Sequence, residues 1–290
     1  MNSPGLLPSA RVAILGLGLM GGSLAMALRG RCAAVLGSDP DAGTLELARR
    51  REIVARASAD PAEILPQSDV VILAAPVRAI LGLLRALPEL HPGRAIVLDL
   101  GSTKAEIVAE MERLPSRFDP IGGHPMCGKE SSSLLNAEPG LYRGAAFAFT
   151  PLERTSAVAR AMADEIARAV GARPLFLDPH VHDRWVAATS HLPYLIAVAL
   201  ALATPAEASP LVGPGFRSTA RLAASSPEVM VEVLETNREN ILASLRDFRG
   251  QLDRLEAGLA GGETGELAPA LAQGAARLAE LAGHEPGGGR

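Results

Sequence analysis

Short aliphatic runs alternate with helical patterns through the first part of the chain. Residues 11–15, 33–36, 70–74 and 95–99 are apolar runs bounded by turn residues. Between them, residues 20 to about 29, 42–51 and 79–87 carry apolar side chains at helical spacing. Such alternation predicts βαβ units and a parallel sheet. Residues 145–149 and 174–177 are candidate edge strands around a helix over 153–170. After residue 178 the pattern changes: 180–203, 227–259 and 265–281 read as helices, with no convincing strand among them. The expected fold is therefore α/β, a Rossmann-type parallel-sheet domain over 1–178 followed by an all-α domain over 179–290. The helical part is rich in Ala and Leu and short of large side chains, and rows of small residues favour close helix–helix contacts. A helical half of this kind buries more surface by pairing with a second copy, so a homodimer is expected. The glycine-rich stretches 258–265 and 283–290 read as a loop and a frayed tail.

Composition narrows the function classes. With 290 residues the chain has room for one large or two ordinary domains. At 48% hydrophobic and 21% charged residues it is a globular protein. A net charge of -4 and a pI near 5.9 provide no basic signature for nucleic acid or an anionic membrane. The two cysteines, Cys32 and Cys127, form neither a CxxC pair nor a disulfide framework, which fits a reducing compartment. No run reaches the ~18 uninterrupted apolar residues of a membrane span. The nearest, 195–203, is stopped by Thr204 and Pro205. Residues 1–10 lack the basic start and apolar core of a signal peptide. A cytoplasmic protein is expected.

The segment Gly16-Leu-Gly-Leu-Met-Gly21 follows a predicted strand and opens a predicted helix, the context a dinucleotide-binding GxGxxG loop requires. Gly16 permits the tight turn, Gly18 lets the backbone approach a pyrophosphate, and Gly21 allows close helix–strand packing. Leu19 and Met20 complete the loop and begin the helix, whose amide N–H groups and dipole face the phosphates. Asp39 closes the second predicted strand, where a carboxylate can accept both ribose hydroxyls and repel the extra phosphate of NADP. The plainer reading of Asp39 is a turn residue before Pro40. Taken together, strand, glycines, helix, strand and acid point to NAD in preference to NADP.

Four other segments hold polar residues in unusual company. Leu100-Gly-Ser-Thr-Lys104 puts Ser102 at the carboxyl edge of the sheet, where ligands of such folds bind. Gly122-Gly-His-Pro-Met-Cys-Gly-Lys-Glu130 presents His124 between glycines and a proline, as a loop residue on a rigid scaffold. His180-Val-His-Asp-Arg leads along a helix to Ser190-His-Leu-Pro-Tyr194, and Gly213 to Ala223 spaces Arg217 and Arg221 four apart.

This set resembles the prephenate/arogenate dehydrogenase family, in its single-function form. GLGLMGGSLA from Gly16, DLGSTK from Asp99, GGHPMCGKE from Gly122, HDRWVAATSHLP from His182 and FRSTARLA from Phe216 stand in the family's order and span nearly the whole chain. The resemblance implies oxidative decarboxylation of prephenate or arogenate with hydride transfer to NAD, a step toward tyrosine. It makes His124 the proton acceptor for the ring hydroxyl, near an ordinary imidazole pKa of ~6.5. Ser102 would orient His124 or share the substrate hydroxyl; its plainer role is an N-cap for a helix from Thr103. Arg221 would bind the ring carboxylate, since a guanidinium matches it bidentately. Arg217, His182, Ser190, Tyr194 and Glu130 would complete the substrate site. His191 reads as structural and Cys127 as filler. A metal at His180, His182 and Asp183 is not expected, because neighbouring helix positions diverge. Two departures concern the substrate's side chain: Tyr194 stands where the family commonly has histidine, and Met230 where it often has tryptophan.

Three alternatives share the glycine loop. A β-hydroxyacid dehydrogenase needs a lysine in its helical part, and no lysine follows Lys129. A pyrroline-carboxylate-type reductase gives no reason for the GGHP segment. A non-enzymatic NAD-binding sensor would not need Ser102, His124 and Arg221 together.

Overall fold

The computed structural model describes residues 5–129, 133–261 and 264–283. Eight strands form one sheet: β1 (Arg11–Leu15), β2 (Ala34–Ser38), β3 (Arg56–Ser58), β4 (Val70–Leu73), β5 (Ala95–Asp99), β6 (Phe118–Pro125), β7 (Ala146–Pro151) and β8 (Arg173–Phe176). Their order is β3-β2-β1-β4-β5-β6-β7-β8. Pairing is parallel as far as β6; β7 then runs antiparallel to β6, and β8 parallel to β7. The order reverses beside β1, which creates the crevice where such sheets bind ligands.

The central strands β1, β4 and β5 are almost wholly apolar because both faces are covered. In β1, Val12 and Ile14 join one core with α1 (Leu19–Leu28) and α5 (Ala157–Ala169). Ala13 and Leu15 point the other way, into a core with α3 (Val77–Leu90) and α4 (Ala105–Glu112). The α2 helix (Ala42–Arg50) starts under an Asp41 cap that accepts from Thr44 N at 2.7 Å. Two elements of this half are absent from the sequence reading: β3 has only three residues, and β6 is interrupted by Pro120, Gly122 and Gly123. The helix expected from Thr103 is α4, which begins at Ala105.

Beyond β8 the chain is helical. The α6 helix (Pro179–Val186) continues through a π-helical turn (Ala187–His191) into α7 (Leu192–Ala203). This 25-residue rod is long and apolar enough to cross a membrane by length and composition alone, which counting uninterrupted apolar residues did not anticipate. Its buried face carries His182, Asp183 and His191 and packs on α4 and β7. Next come α8 (Pro214–Ala220), α9 (Pro227–Thr236), α10 (Arg238–Ala260) and α11 (Thr264–Gly283). The helix read as continuous over 227–259 breaks at Asn237, whose side chain is buried and bonded elsewhere.

The chain forms two compact units, residues 1–240 and 241–290. In the first, Glu232 of α9 accepts from Arg78 N at 3.0 Å, so the start of α3 is capped by a carboxylate from the helical segment. In the second, α10 and α11 expose Leu252, Leu259, Leu271, Leu278 and Leu281.

Candidate active site

At the end of β1 the chain turns at Gly16, whose φ of 98° only glycine adopts freely. A Cβ there would lie 2.2 Å from the Ala74 carbonyl oxygen, and one at Gly21 would lie 1.9 Å from that of Gly16. A Cβ at Gly18 would meet nothing within 4 Å, so the backbone is open on that side. Gly18 is the N-cap of α1 and has no side chain to cap the helix, so the first-turn N–H groups at Leu19 and Met20 stay available to an anion. This is a cradle that fits a pyrophosphate. Asp39 borders it: Oδ2 accepts from Leu17 N at 2.7 Å and Oδ1 from Asp41 N at 2.9 Å. The carboxylate thus ties the end of β2 to the glycine loop, and also makes the plain turn contact. Tyr142, fully buried, donates to the Met20 carbonyl at 2.8 Å and braces the loop from behind.

His124 sits near the carboxyl end of β6, a strand residue where the sequence reading placed a loop. The two preceding glycines let neighbouring strands close in: a Cβ at Gly122 would lie 2.2 Å from Thr150 Oγ1, and one at Gly123 2.6 Å from the Asp99 carbonyl oxygen. Beneath His124 lies a buried ion pair. Lys104 Nζ bonds Asp99 Oδ2 and donates to the Gly123 carbonyl at 2.6 Å. Asp99 accepts in turn from Gly123 N at 3.0 Å and Gly101 N at 2.7 Å. Burial pushes the Lys104 ammonium down, opposed chiefly by Asp99. Both polar groups of the Gly123 backbone are held by this pair, so the histidine's attachment point is rigid.

The imidazole is held from the helical side. His124 Nδ1 lies 2.9 Å from His182 Nε2, and His182 Nδ1 lies 2.8 Å from Asp183 Oδ1. Asp183 also accepts from Lys104 N at 2.7 Å and Ala105 N at 2.8 Å, capping α4 with both oxygens. Asn237 Nδ2 donates to the Asp183 carbonyl at 2.7 Å and lies 3.2 Å from His191 Nδ1. His191 Nε2 is buried with no hydrogen-bond partner among the described residues. Burial pushes the His124 pKa well below 6.5, helped by His182, Lys104 and His191. The expected ordinary pKa is therefore replaced by a firmly neutral ring. Burial likewise lowers His191 to about 4.

Several expected roles change. His182, expected at the substrate, has both ring nitrogens engaged inside the protein. Ser102 does not cap a helix from Thr103; α4 begins at Ala105 and Asp183 caps it. Ser102 is half-buried in the turn after β5, while Thr103 Oγ1 lies 2.9 Å from Thr236 Oγ1. Ser190 is half-buried in the π-turn, and Tyr194 half-buried in the first turn of α7. Arg217 is exposed in α8, and Arg221 is exposed in the short helical turn Arg221–Ala224, which packs on α7. Glu130 lies outside the described residues. Burial pushes the Cys127 thiol up to about 11, which leaves it a packing residue against the core. Sequence reading passed over Asp99, Lys104, Asp183, Asn237 and Tyr142 as working groups. The first three stand inside the quoted motifs, but charged residues default to the surface and nothing local marks them as buried.

A glycine loop at the sheet's reversal point, an acid closing the second strand and a buried neutral imidazole on a nearby strand define a dinucleotide-dependent oxidoreductase of the α/β class. The family is narrower than that. The model for the prephenate dehydrogenase nucleotide-binding domain matches residues 24–175, and that for the prephenate dehydrogenase dimerization domain matches residues 178–273. A prephenate dehydrogenase of Lactococcus lactis is 30% identical over 257 residues, 84% of this chain and 70% of that protein. The structure of prephenate dehydrogenase from A. aeolicus, in complex with hydroxyphenyl propionate and NAD+, has a TM-score of 0.87 at 27% identity, covering 95% of this chain and 99% of that one. Arogenate dehydrogenase from Synechocystis has a TM-score of 0.80 at 30% identity, covering 93% and 99%. The chain belongs to the prephenate dehydrogenase family.

Proposed function

We propose that this protein catalyses the NAD-dependent oxidative decarboxylation of prephenate, or of arogenate, in the formation of tyrosine. The observation that carries the reading is His124, a neutral imidazole held by its Nδ1 edge at the carboxyl end of β6. The substrate ring bears a hydroxyl on one carbon and a carboxylate opposite. His124 takes the hydroxyl proton, which relieves positive charge developing at that carbon as its hydrogen is lost. Bound NAD supplies the hydride acceptor. Carbon dioxide leaves from the opposite carbon, and the ring becomes aromatic.

Arg221 binds the ring carboxylate, with Arg217 one turn earlier, and Ser102 shares the substrate hydroxyl. Ser190, Tyr194 and Glu130 belong to the substrate site. Gly16, Gly18, Leu19, Met20 and Gly21 hold the pyrophosphate, and Asp39 the adenosine ribose. NAD is preferred over NADP because Asp39 is fixed at the loop, Asp41 stands two residues on, and residues 38–44 contain no arginine to receive a 2′-phosphate. Nucleotide binding falls to residues 1–178, and substrate binding and dimerisation to residues 179–290. The exposed leucines of α10 and α11 support a homodimer. Two free cysteines support a cytoplasmic setting.

The test offers prephenate and arogenate separately, each with NAD and with NADP, and follows reduced cofactor. NAD-dependent turnover of at least one substrate is expected. No reduction of either cofactor with either substrate would overturn the reading. The ratio of the two rates reads out what Tyr194 and Met230 do to side-chain preference.

A further inference from the structure

Asp183 and His182 stand in series behind His124, and with both imidazoles neutral the hydrogen-bond inventory of the three groups allows one arrangement of protons. Asp183 as a carboxylate can only accept. It takes two backbone N–H groups at the start of α4 and faces His182 Nδ1 at 2.8 Å, so that nitrogen carries the hydrogen. A neutral imidazole has one N–H, so His182 Nε2 presents a lone pair. His124 Nδ1, 2.9 Å away, must then donate to it, and His124 Nε2 is left bare.

We infer that His182 and Asp183 are positioning residues that lock His124 in its Nδ1–H tautomer and make Nε2 the proton-accepting atom. The inference deepens the proposed function and rests on His124 being the proton acceptor. The proton balance is simple. The substrate O–H bond breaks and an N–H bond forms at His124 Nε2. The oxygen's electron pair becomes the carbonyl π bond as the C–H bond of the same carbon breaks and its pair leaves as hydride toward the nicotinamide. The oxygen recovers a proton when loss of carbon dioxide makes the ring aromatic. The imidazolium formed keeps its Nδ1–H on His182, with the Asp183 carboxylate at the far end of the chain. Asp183 is also the cap of α4, so one carboxylate sets both where α4 begins and which way the relay points. In the opposite tautomer His124 would offer a donor to the substrate hydroxyl and could not take its proton.

The direct test is spectroscopic and needs no turnover. In the full-length enzyme with 15N-labelled histidine, long-range proton–nitrogen correlation reports the protonated nitrogen of each ring, and His124→Asn identifies the His124 signal. Protonated Nδ1 and bare Nε2 are expected, inverted or mixed in Asp183→Asn. A wild-type His124 protonated at Nε2 would overturn the inference even if the enzyme turns over prephenate. Kinetics add a rescue test. His182→Gln keeps an amide oxygen able to accept from His124, and should hold kcat within roughly tenfold, whereas His182→Leu should lose ~10²–10³ in kcat with KM little changed. Equal losses in the two variants would also overturn it. A failure of the proposed function shows differently, as no reduction of NAD or NADP with either substrate, and a failure of the His124 role as unchanged turnover in His124→Asn.

Discussion

The cofactor loop and the acid–base site lie on the same sheet yet are built in opposite ways. The loop is local: Gly16 to Gly21 supply the turn, the open backbone and the helix start, and one carboxylate from the next strand finishes it. The acid–base site is gathered from five elements, with Asp99 on β5, Lys104 before α4, His124 on β6, His182 and Asp183 on α6, and Asn237 after α9. A contiguous backbone device is readable wherever its sequence occurs. An assembled side-chain network is readable only in its members, because the energetic reason for each member is a partner remote in the chain.

If that contrast is right, perturbations should separate cleanly. The largest effect should come from His124→Asn, which should lower kcat by ~10²–10⁴ while NAD affinity, measured by fluorescence titration, stays near wild type. Unchanged turnover would remove His124 from the chemistry. Next in size is Lys104→Met, which leaves Asp99 buried without its cation. Denaturant unfolding should show a loss of about 3–5 kcal/mol; less than ~1 kcal/mol would mean that the pair does not hold the Gly123 backbone.

The pH dependence of stability tests the same network. His124 and His191 are neutral in the fold with lowered pKa values, so below pH 6.5 the unfolded chain binds protons that the folded chain refuses. Stability should fall as pH drops from 6.5 toward about 4, with His191 alone contributing roughly 3 kcal/mol over that window. Thermal unfolding of His191→Asn across this range should flatten the slope; an identical slope would contradict the burial argument. The acid limb of kcat/KM should likewise lie below 6.5, and a limb at 6.5 or above would contradict a firmly neutral His124.

Smaller effects belong to the ligand ends. Arg221→Ala should raise KM by roughly 10- to 100-fold with kcat less affected, as expected for one lost charge-assisted carboxylate contact. An unaltered KM would take Arg221 out of the substrate site. Asp39→Ala should shift the NAD-to-NADP preference by about tenfold, the smallest of the set. A preference that does not move would leave Asp39 as a turn residue.

The parallel sheet of the first half was legible because both-face burial makes its central strands β1, β4 and β5 almost wholly apolar, and βα alternation follows from there. β6 was not, since Pro120, Gly122 and Gly123 read as loop residues. They are tolerated because β5 and β7 supply the pairing and crowd out any side chain at the glycines. The break at Asn237 was hidden in the same way: an asparagine inside a helical pattern looks neutral until its amide is seen bonded to Asp183. His182 was picked out as a site residue but given a different contact, because spacing along a helix says which face it lies on and not what stands opposite.

By itself the sequence determined the class of fold, the nucleotide cradle and the residue types available for chemistry, since period, turn chemistry and glycine spacing act over a few residues. Only the tertiary structure decided that His124 Nδ1 faces His182, that Asp183 rather than Ser102 caps α4, and that Lys104 is buried in an ion pair. Those outcomes depend on distances across elements far apart in the chain, where desolvation and hydrogen-bond partnership, not local propensity, set the energy.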